Sequence, residues 1–200
     1  PYVAWIAPGV LATTAFQMAV GESTYPVLGE FKWSRQAHAM FATRVSVRDM
    51  LAGWLAFIVF RAGVSVVVFL AVVAAFGVVS SPWALLAPLV AALLAVSVAA
   101  PVTAFAASID HDSYFALLFR FVMIPSSLFA GVFFPVEQLP AVVRPVAYAS
   151  PLWHGVELCR AAMLGGSPPW PVWGHVAYLV GFAAVGLWWA RRAFHRRLTD

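Results

Sequence analysis

Five long apolar runs follow one another along the chain, separated by polar or proline-rich segments. They lie near residues 2–20, 52–79, 84–107, 114–130 and 172–190. Because a helix rises 1.5 Å per residue, runs of this length cross the roughly 30 Å hydrocarbon core of a bilayer. The pattern therefore predicts an all-α polytopic membrane bundle with five spans.

One further apolar stretch, from Gly131 to Gly166, is interrupted by Pro135, Pro140, Pro145 and Pro151. Each proline removes a backbone donor and kinks or ends a helix. Two short helices fit this stretch better than a single span. Unpaired backbone is tolerated at membrane depth only where protein or water covers it, so we expect residues 131–166 to form a re-entrant helical hairpin at the outer face.

Composition strengthens the membrane assignment. Hydrophobic residues make up 63% of the chain and charged residues 10%, too few to give a soluble domain its polar surface. Eight of the twelve basic residues lie in two clusters, which is typical of membrane topology and not of a nucleic-acid-binding surface. These residues are Lys32, Arg35, Arg44, Arg48, Arg191, Arg192, Arg196 and Arg197.

The two basic clusters predict the orientation of the chain. Residues 21–50 and the basic tail, residues 191–200, hold the positive excess and are expected on the cytoplasmic side. The number of predicted spans between them agrees with this placement. Five spans then put residue 1 on the outside, so we expect at least one earlier span in the complete chain.

Residues 21–50 mix charged residues with apolar ones such as Val27, Leu28 and Phe31. This pattern is consistent with short amphipathic helices at the membrane surface. Two interpretations stay open: a solvated connector, or a docking surface for a cytoplasmic partner, which we favour.

Two arginines interrupt the apolar runs. Arg61 is within reach of the cytoplasmic surface by snorkelling, which we favour over a place on a transport path. Arg120 lies about two turns into its run, where a charge is expensive. For Arg120, a contact with the bundle interior, a carboxylate or water is as well supported as snorkelling.

Few residues offer catalytic or metal-binding chemistry. The sequence contains no phosphate-binding loop, no HExxH and no Gly-x-Ser-x-Gly, and a single Cys159 excludes an internal disulfide framework. Asp110, His111 and Asp112 are adjacent and are expected to form a solvated turn. His154 and Glu157 are spaced to face each other on a helix, and we favour a structural hydrogen bond over an acid and base pair.

Four segments resemble the type-2 ABC exporter permeases. GVFFPVEQLP from Gly131 and PLWHGVELCRAAMLGG from Pro151 are similar to the signature of that superfamily. YVAWIAPGVLATTAF from Tyr2 and YPVLGEFKWSRQAHAM from Tyr25 are similar to its lipo-oligosaccharide group, the nodulation-factor exporter permeases. The resemblance covers nearly the whole chain, but the family's usual first cytoplasmic helix and first span are missing.

The resemblance implies a six-span subunit of the bacterial inner or plasma membrane. Such a subunit forms a dimer, expected here to be a homodimer, and pairs with two copies of a separate ABC ATPase. ATP and magnesium would then be bound by that partner, and no cofactor by this chain. The family's coupling helix corresponds to the segment from Tyr25 to Arg35, with Tyr25, Glu30, Lys32 and Arg35 as expected ATPase contacts.

In similar permeases the outer re-entrant helices cap the translocation route as a gate. The corresponding residues are Phe133, Phe134, Pro135, Glu137, Pro140, Pro151, His154, Glu157 and Arg160.

The expected function is ATP-driven export of an amphipathic substrate: a lipo-oligosaccharide, a glycolipid or a hydrophobic drug. Two alternatives from other classes stay open. A membrane-embedded acyl or glycosyl transferase would use His154 and Glu157 on lipid-linked substrates. A channel or proton-coupled carrier would need carboxylates within the spans, and outside the loops the sequence has none.

Overall fold

The computed structural model describes residues 2–199, of which helices make up most, with no strand in that range. Its α-helices are α1 (Tyr2–Ser23), α2 (Tyr25–Lys32), α3 (Gln36–Phe41), α4 (Val47–Ala75), α5 (Ala87–Ser108), α6 (Tyr114–Leu118), α7 (Ile124–Phe129), α8 (Arg144–Tyr148), α9 (Pro151–Leu164) and α10 (Val172–Thr199). Short 3₁₀ helices span Pro82–Leu86 and Val136–Gln138. A π-helical segment, Phe119–Met123, joins α6 to α7. The all-α membrane bundle is confirmed.

Four helices are long and apolar enough to cross a bilayer: Tyr2–Lys32, Val47–Ala75, Pro82–Ser108 and Val172–Thr199. The fifth predicted span is a shorter apolar helix, Tyr114–Phe129. At 1.5 Å per residue it is about 24 Å long, less than the hydrocarbon core needs. The prediction of five full-length spans is therefore corrected to four plus this shorter helix.

The π-helical segment has a local cause. Pro125 follows it and lacks the backbone N–H that would bond the carbonyl one turn earlier. The N–H of Ile124 instead reaches back five residues to the carbonyl of Phe119. The helix thus widens just before the proline.

Both basic clusters lie at one end of the bundle. The ring of Phe31 in α2 packs edge-on against Phe194 in α10, with centroids 4.9 Å apart. The ammonium of Lys32 donates to the carbonyl oxygen of Asp110 at 2.9 Å, and Arg197 donates to the carbonyl of Ala107 at 2.9 Å. We call this the basic end. The two clusters therefore lie at the same end of the bundle, and their placement on the cytoplasmic side stays a prediction.

Helices α5 and α10 approach each other closely at Gly186 and Pro101. A Cβ atom on Gly186 would lie 2.5 Å from the Cδ of Pro101 and 2.7 Å from its backbone nitrogen. Small residues at helix contacts allow such approach in membrane bundles, where van der Waals packing drives association. The contact fixes α10 against the centre of the molecule.

The segment after Gly131 returns into the bundle at the opposite end. Gly131 has φ +76°, and the backbone of Val132 lies so close to Gly9 that an added Cβ would sit 3.0 Å from it. Gly9 is about two turns into α1, so the segment packs against the side of that helix and not against its end. Helices α8 and α9 then follow, so the two short helices predicted after Gly131 are present; their re-entrant placement in the membrane stays a prediction.

Candidate coupling and gate sites

Helix α2 presents a buried and an exposed face at the basic end. Val27, Leu28 and Phe31 are at most 4% exposed and belong to the core at this end of the bundle. Tyr25 packs edge-on against Phe115 of α6, with ring centroids 4.8 Å apart. The amphipathic pattern predicted for this part of residues 21–50 is therefore present, with the apolar side against protein.

Three of the predicted coupling residues lie on the outside of this element. Tyr25 is 45% exposed, and Lys32 and Arg35 are exposed as well. Arg35 has φ +52°, a left-handed conformation that turns the chain sharply from α2 into α3. Trp33, which the sequence reasoning did not single out, is 62% exposed between them. A tryptophan beside two cations is the signal that could have identified it.

Glu30 departs from its expected place. It is half-buried, and one carboxylate oxygen is enclosed without a hydrogen-bond partner among the described residues. It lines a cavity of about 30 Å³ together with Met40, Met50 and Trp54. Helix α3 folds back over this side of α2, so the Glu30 carboxylate points inward and not toward a partner.

At the opposite end, Glu157 and Arg160 form a buried ion pair on α9. Arg160 Nη1 donates to Glu157 Oε1 at 2.5 Å, and Nη2 donates to the carbonyl of Gly131 at 2.7 Å. The guanidinium carbon also lies 3.7 Å from the ring centroid of Trp5 in α1. One side chain thus ties α9 to α1 and to the turn that opens the re-entrant segment.

His154 contacts a different neighbour. Its Nε2 lies 3.0 Å from the carbonyl of Tyr148, which can only accept, so Nε2 carries a proton and donates. The other nitrogen, Nδ1, lies 2.9 Å from Nδ1 of His175 in α10 and accepts from it. The ring is fully buried and stacks on Tyr178 at 3.9 Å.

Burial, with the neighbouring His175 as a smaller cause, lowers the pKa of His154 to about 4. The imidazole is therefore neutral near pH 7 and serves as a hydrogen-bonding link between α9 and α10.

The predicted contact between His154 and Glu157 is wrong. The two side chains leave α9 in different directions: His154 meets α10, whereas Glu157 meets Arg160 beside α1. The structural hydrogen bond expected of His154 is present, but its partners are Tyr148 and His175. Sequence spacing alone could not identify them, because they depend on how α9 crosses α10.

The other predicted gate residues lie before α8 and at the start of α9. Phe133 and Glu137 are exposed, and Phe134 and Pro135 are half-buried. Pro140 is exposed and Pro151 is half-buried at the first position of α9. The hydroxyl of Tyr2 reaches the carbonyl of Phe133 at 3.4 Å, and Arg144 donates to the carbonyl of Glu137 at 2.7 Å. These bonds hold the irregular segment to its neighbours.

The two arginines of the apolar runs have different surroundings. Arg61 forms an ion pair with Glu22 of α1 and lies over the ring of Phe57. Arg120 is exposed on the π-helical segment and has no ion pair within residues 2–199. Arg120 therefore does not face the interior of this chain, which leaves snorkelling or a contact outside the chain.

Residues 2–199 bring together no cluster of three or more metal-ligating side chains. Asp110, His111 and Asp112 are exposed in the turn between α5 and α6. Cys159 is free and fully buried in α9.

Comparison with known proteins identifies relatives over nearly the whole chain. The family model described as ABC-2 family transporter protein matches residues 2–191. Nodulation protein J of Sinorhizobium fredii strain NGR234 is 31% identical over 201 residues, covering 99% of this chain and 75% of the relative. Nodulation protein J of Rhizobium leguminosarum bv. trifolii is 32% identical, and that of Rhizobium meliloti strain 1021 is 30% identical, each covering 98% of this chain and 75% of the relative.

Proposed function

The chain belongs to the ABC-2 family of transporter membrane proteins, and from this premise we propose that it is the permease subunit of an ATP-driven exporter. A separate ABC ATPase would bind ATP and magnesium and drive the cycle. The permease would work as a homodimer in the bacterial inner membrane. The observation that carries the proposal is the exposed corner between α2 and α3 at the basic end.

This corner has the properties of a docking surface. Trp33 is 62% exposed and stands between Lys32 and Arg35, and tryptophan and arginine are enriched among residues that dominate binding energy. The buried side of α2 is packed against protein, so the exposed side is presented on a rigid support. These features favour a partner protein over a solvated connector.

The packing of α2 supports transmission of a push into the bundle. Tyr25 touches Phe115 at the start of the Tyr114–Phe129 helix, and Phe31 touches Phe194 in α10. A displacement of α2 would therefore act on both helices at once. Packed interfaces of this kind respond by shifting between discrete arrangements, which is how we propose ATP-driven closure tilts the spans.

The re-entrant segment is the proposed outer gate. Arg160 and His154 connect it to α1 and α10, so motion of those helices would carry α9 with it. We propose that two copies of the chain enclose the route that these segments cap.

The substrate proposed is amphipathic. The helices offer apolar walls with few fixed charges, which suit lipid tails better than free sugars. The resemblance of the sequence to the lipo-oligosaccharide group makes a lipo-oligosaccharide the substrate we propose first, with a glycolipid or a hydrophobic drug as alternatives. A transferase receives no support from the geometry, because His154 is fully buried and separate from Glu157.

Affinity purification of the full-length protein from its native membrane tests the proposal. We expect an ATPase to co-purify and the combined variant Trp33→Ala, Arg35→Glu to lose at least nine-tenths of it, in line with hot-spot losses above about 1.4 kcal/mol. Arg44→Glu, an exposed charge outside the corner, is the matched control and should retain the ATPase.

Glu30→Gln is a second control, because it changes a side chain of α2 that faces the bundle and not the exposed corner. Since the Glu30 carboxylate points inward, this variant should also keep the ATPase. A permease that purifies without any ATPase in mild detergent would contradict the proposed function. Loss of the ATPase in Arg44→Glu as readily as at the corner would contradict the location.

A further inference from the structure

An apolar cavity opens on the side of the bundle between α5, α10 and the Tyr114–Phe129 helix. Its volume is about 660 Å³, and its walls are almost entirely hydrocarbon. Val98, Val102 and Phe105 of α5 form one wall, and Leu117 and Phe121 form the facing one. Leu117 and Phe121 are 53% and 71% exposed, so the cavity is open to the surroundings of the bundle.

At the basic end the apolar cavity meets a second depression, which we call the arginine groove. Trp189 of α10 lines both. The arginine groove has a volume of about 360 Å³ and is lined by Arg192, Arg196 and Arg197, with Asp110 as the one acidic neighbour. Arg197 is engaged by Asp110 at 3.5 Å and by carbonyl groups of the α5 end.

Arg192 and Arg196 remain available in the groove. Both are exposed, and neither has an ion pair with any residue from 2 to 199. The guanidinium of Arg192 lies 5.8 Å from the ring centroid of Trp188, which orients it beside the membrane-interface tryptophans.

One face of α10 joins the two depressions. Phe182 and Trp189, seven residues apart, line the apolar cavity, and Arg192 and Arg196 follow on the same face at spacings of three and four. At 1.5 Å per residue, the apolar part and the basic part are each about 10 Å long. Along α10, the apolar side chains therefore come first and the two arginines follow at the end of the span.

We propose that the apolar cavity and the arginine groove form one binding site for an anionic phospholipid of the leaflet at the basic end. An acyl chain would occupy the cavity, and the phosphate would bind Arg192 and Arg196. This site needs neither ATP nor an export step, so it stands independently of the proposed function.

Charge and position favour this occupant. A basic depression between helices at the end of membrane spans matches the headgroup of an anionic lipid. A zwitterionic lipid would fill the cavity and also carries a phosphate, but its own cationic amine offsets that charge and leaves Arg192 and Arg196 without a net counter-charge. A protein partner would need apolar side chains facing the cavity and acidic side chains facing the groove, in that order along α10. A lipid has this order already, because its acyl chain and its phosphate are joined end to end.

Photo-crosslinking in the intact protein tests the site. The full-length chain is reconstituted in phosphatidylcholine nanodiscs with a small fraction of phosphatidylglycerol that carries a diazirine in one acyl chain. We expect cross-links in α5 between Val98 and Phe105 and in the helix after Tyr114. The matching phosphatidylcholine probe should label these peptides about tenfold less.

Two pairs of variants locate headgroup and tail. The double variant Arg192→Gln, Arg196→Gln should abolish the roughly tenfold preference for phosphatidylglycerol, because it removes both cationic contacts with the headgroup. The control Arg44→Gln, Arg191→Gln removes the same charge outside the groove and should keep the preference. Leu117→Trp should block the cavity and abolish labelling, whereas Leu89→Trp, also exposed but outside the cavity lining, should not.

Equal labelling by the two probes would show a non-selective lipid contact and overturn the proposal. So would a preference for phosphatidylglycerol that survives Arg192→Gln, Arg196→Gln, because the headgroup would then lie elsewhere. Labelling spread evenly over the lipid-exposed helix faces, with none concentrated at the cavity, would show bulk lipid only.

Discussion

The surroundings of single arginines differ greatly across this chain. Arg160 is about 9% exposed and satisfied by a carboxylate, a carbonyl and an indole ring, whereas Arg120 is exposed on an apolar helix. A buried ion pair gives little net stability, but removing one partner leaves an uncompensated charge. Replacing Arg160 alone is therefore expected to destabilise the protein, because the Glu157 carboxylate would stay buried without its partner.

Arg160→Met should lower the free energy of unfolding by about 3–5 kcal/mol, because Glu157 would be left buried without its partner. The double variant Glu157→Met, Arg160→Met should recover much of that loss. Denaturant titration of the detergent-solubilised protein measures both. Arg44→Met, an exposed control, should change the value by less than about 0.5 kcal/mol. An equal loss in the single and double variants would contradict the uncompensated-charge explanation.

Among the helices, the contact between α5 and α10 depends on two residues that lack atoms other residues have at that place. Gly186 contributes no side chain, and Pro101 contributes no backbone N–H that would need a partner. The backbones can approach because neither residue fills the space between them. The same two helices carry the walls of the apolar cavity, so their separation also sets its width.

Gly186→Ala should destabilise the protein by about 1–3 kcal/mol, since the new methyl would meet the backbone nitrogen of Pro101 at 2.7 Å and could be relieved only by moving a helix. Gly181→Ala on the same helix is the matched control, because nothing lies within 4 Å of its added Cβ. The control should be neutral or up to about 1 kcal/mol stabilising through helix propensity. Thermal unfolding distinguishes them, and identical behaviour would show that the helices are not in close contact.

For the whole molecule, the positions of the charges define two ends. Thr43 is exposed at the basic end, and Val142 is 87% exposed in the re-entrant segment at the opposite end. The excess of Lys and Arg at the basic end predicts that it faces the cytoplasm. The buried Cys159 is the single native cysteine, so introduced thiols can be labelled without interference.

Thr43→Cys and Val142→Cys, each in a Cys159→Ala background, test this orientation in intact cells. A membrane-impermeant maleimide should label Val142→Cys from outside and should reach Thr43→Cys only after the membrane is permeabilised. Labelling of both from the same side would contradict the predicted topology.

The parts of the fold that sequence could predict are those fixed by local physics. Long apolar runs became α1, α4, α5 and α10 because a helix pairs its own backbone in a bilayer. The proline spacing likewise predicted two short helices after Gly131. Partners that depend on how distant helices cross were not predictable: His154 meets His175, which follows 21 residues later. The inward Glu30 depends in the same way on where α3 returns.

The π-helical segment Phe119–Met123 has a consequence for the ancestry of this helix. A π turn is equivalent to one residue added to an α-helix, so removal of a residue there would restore a regular helix. Each residue after the deletion would then rotate by about 100° around the axis, since an α-helix has 3.6 residues per turn. Met123 and Ser126 would leave the cavity wall and other side chains would enter it. A single inserted codon at this position therefore exchanges, in one step and without any substitution, the side chains that the later part of this helix contributes to the cavity.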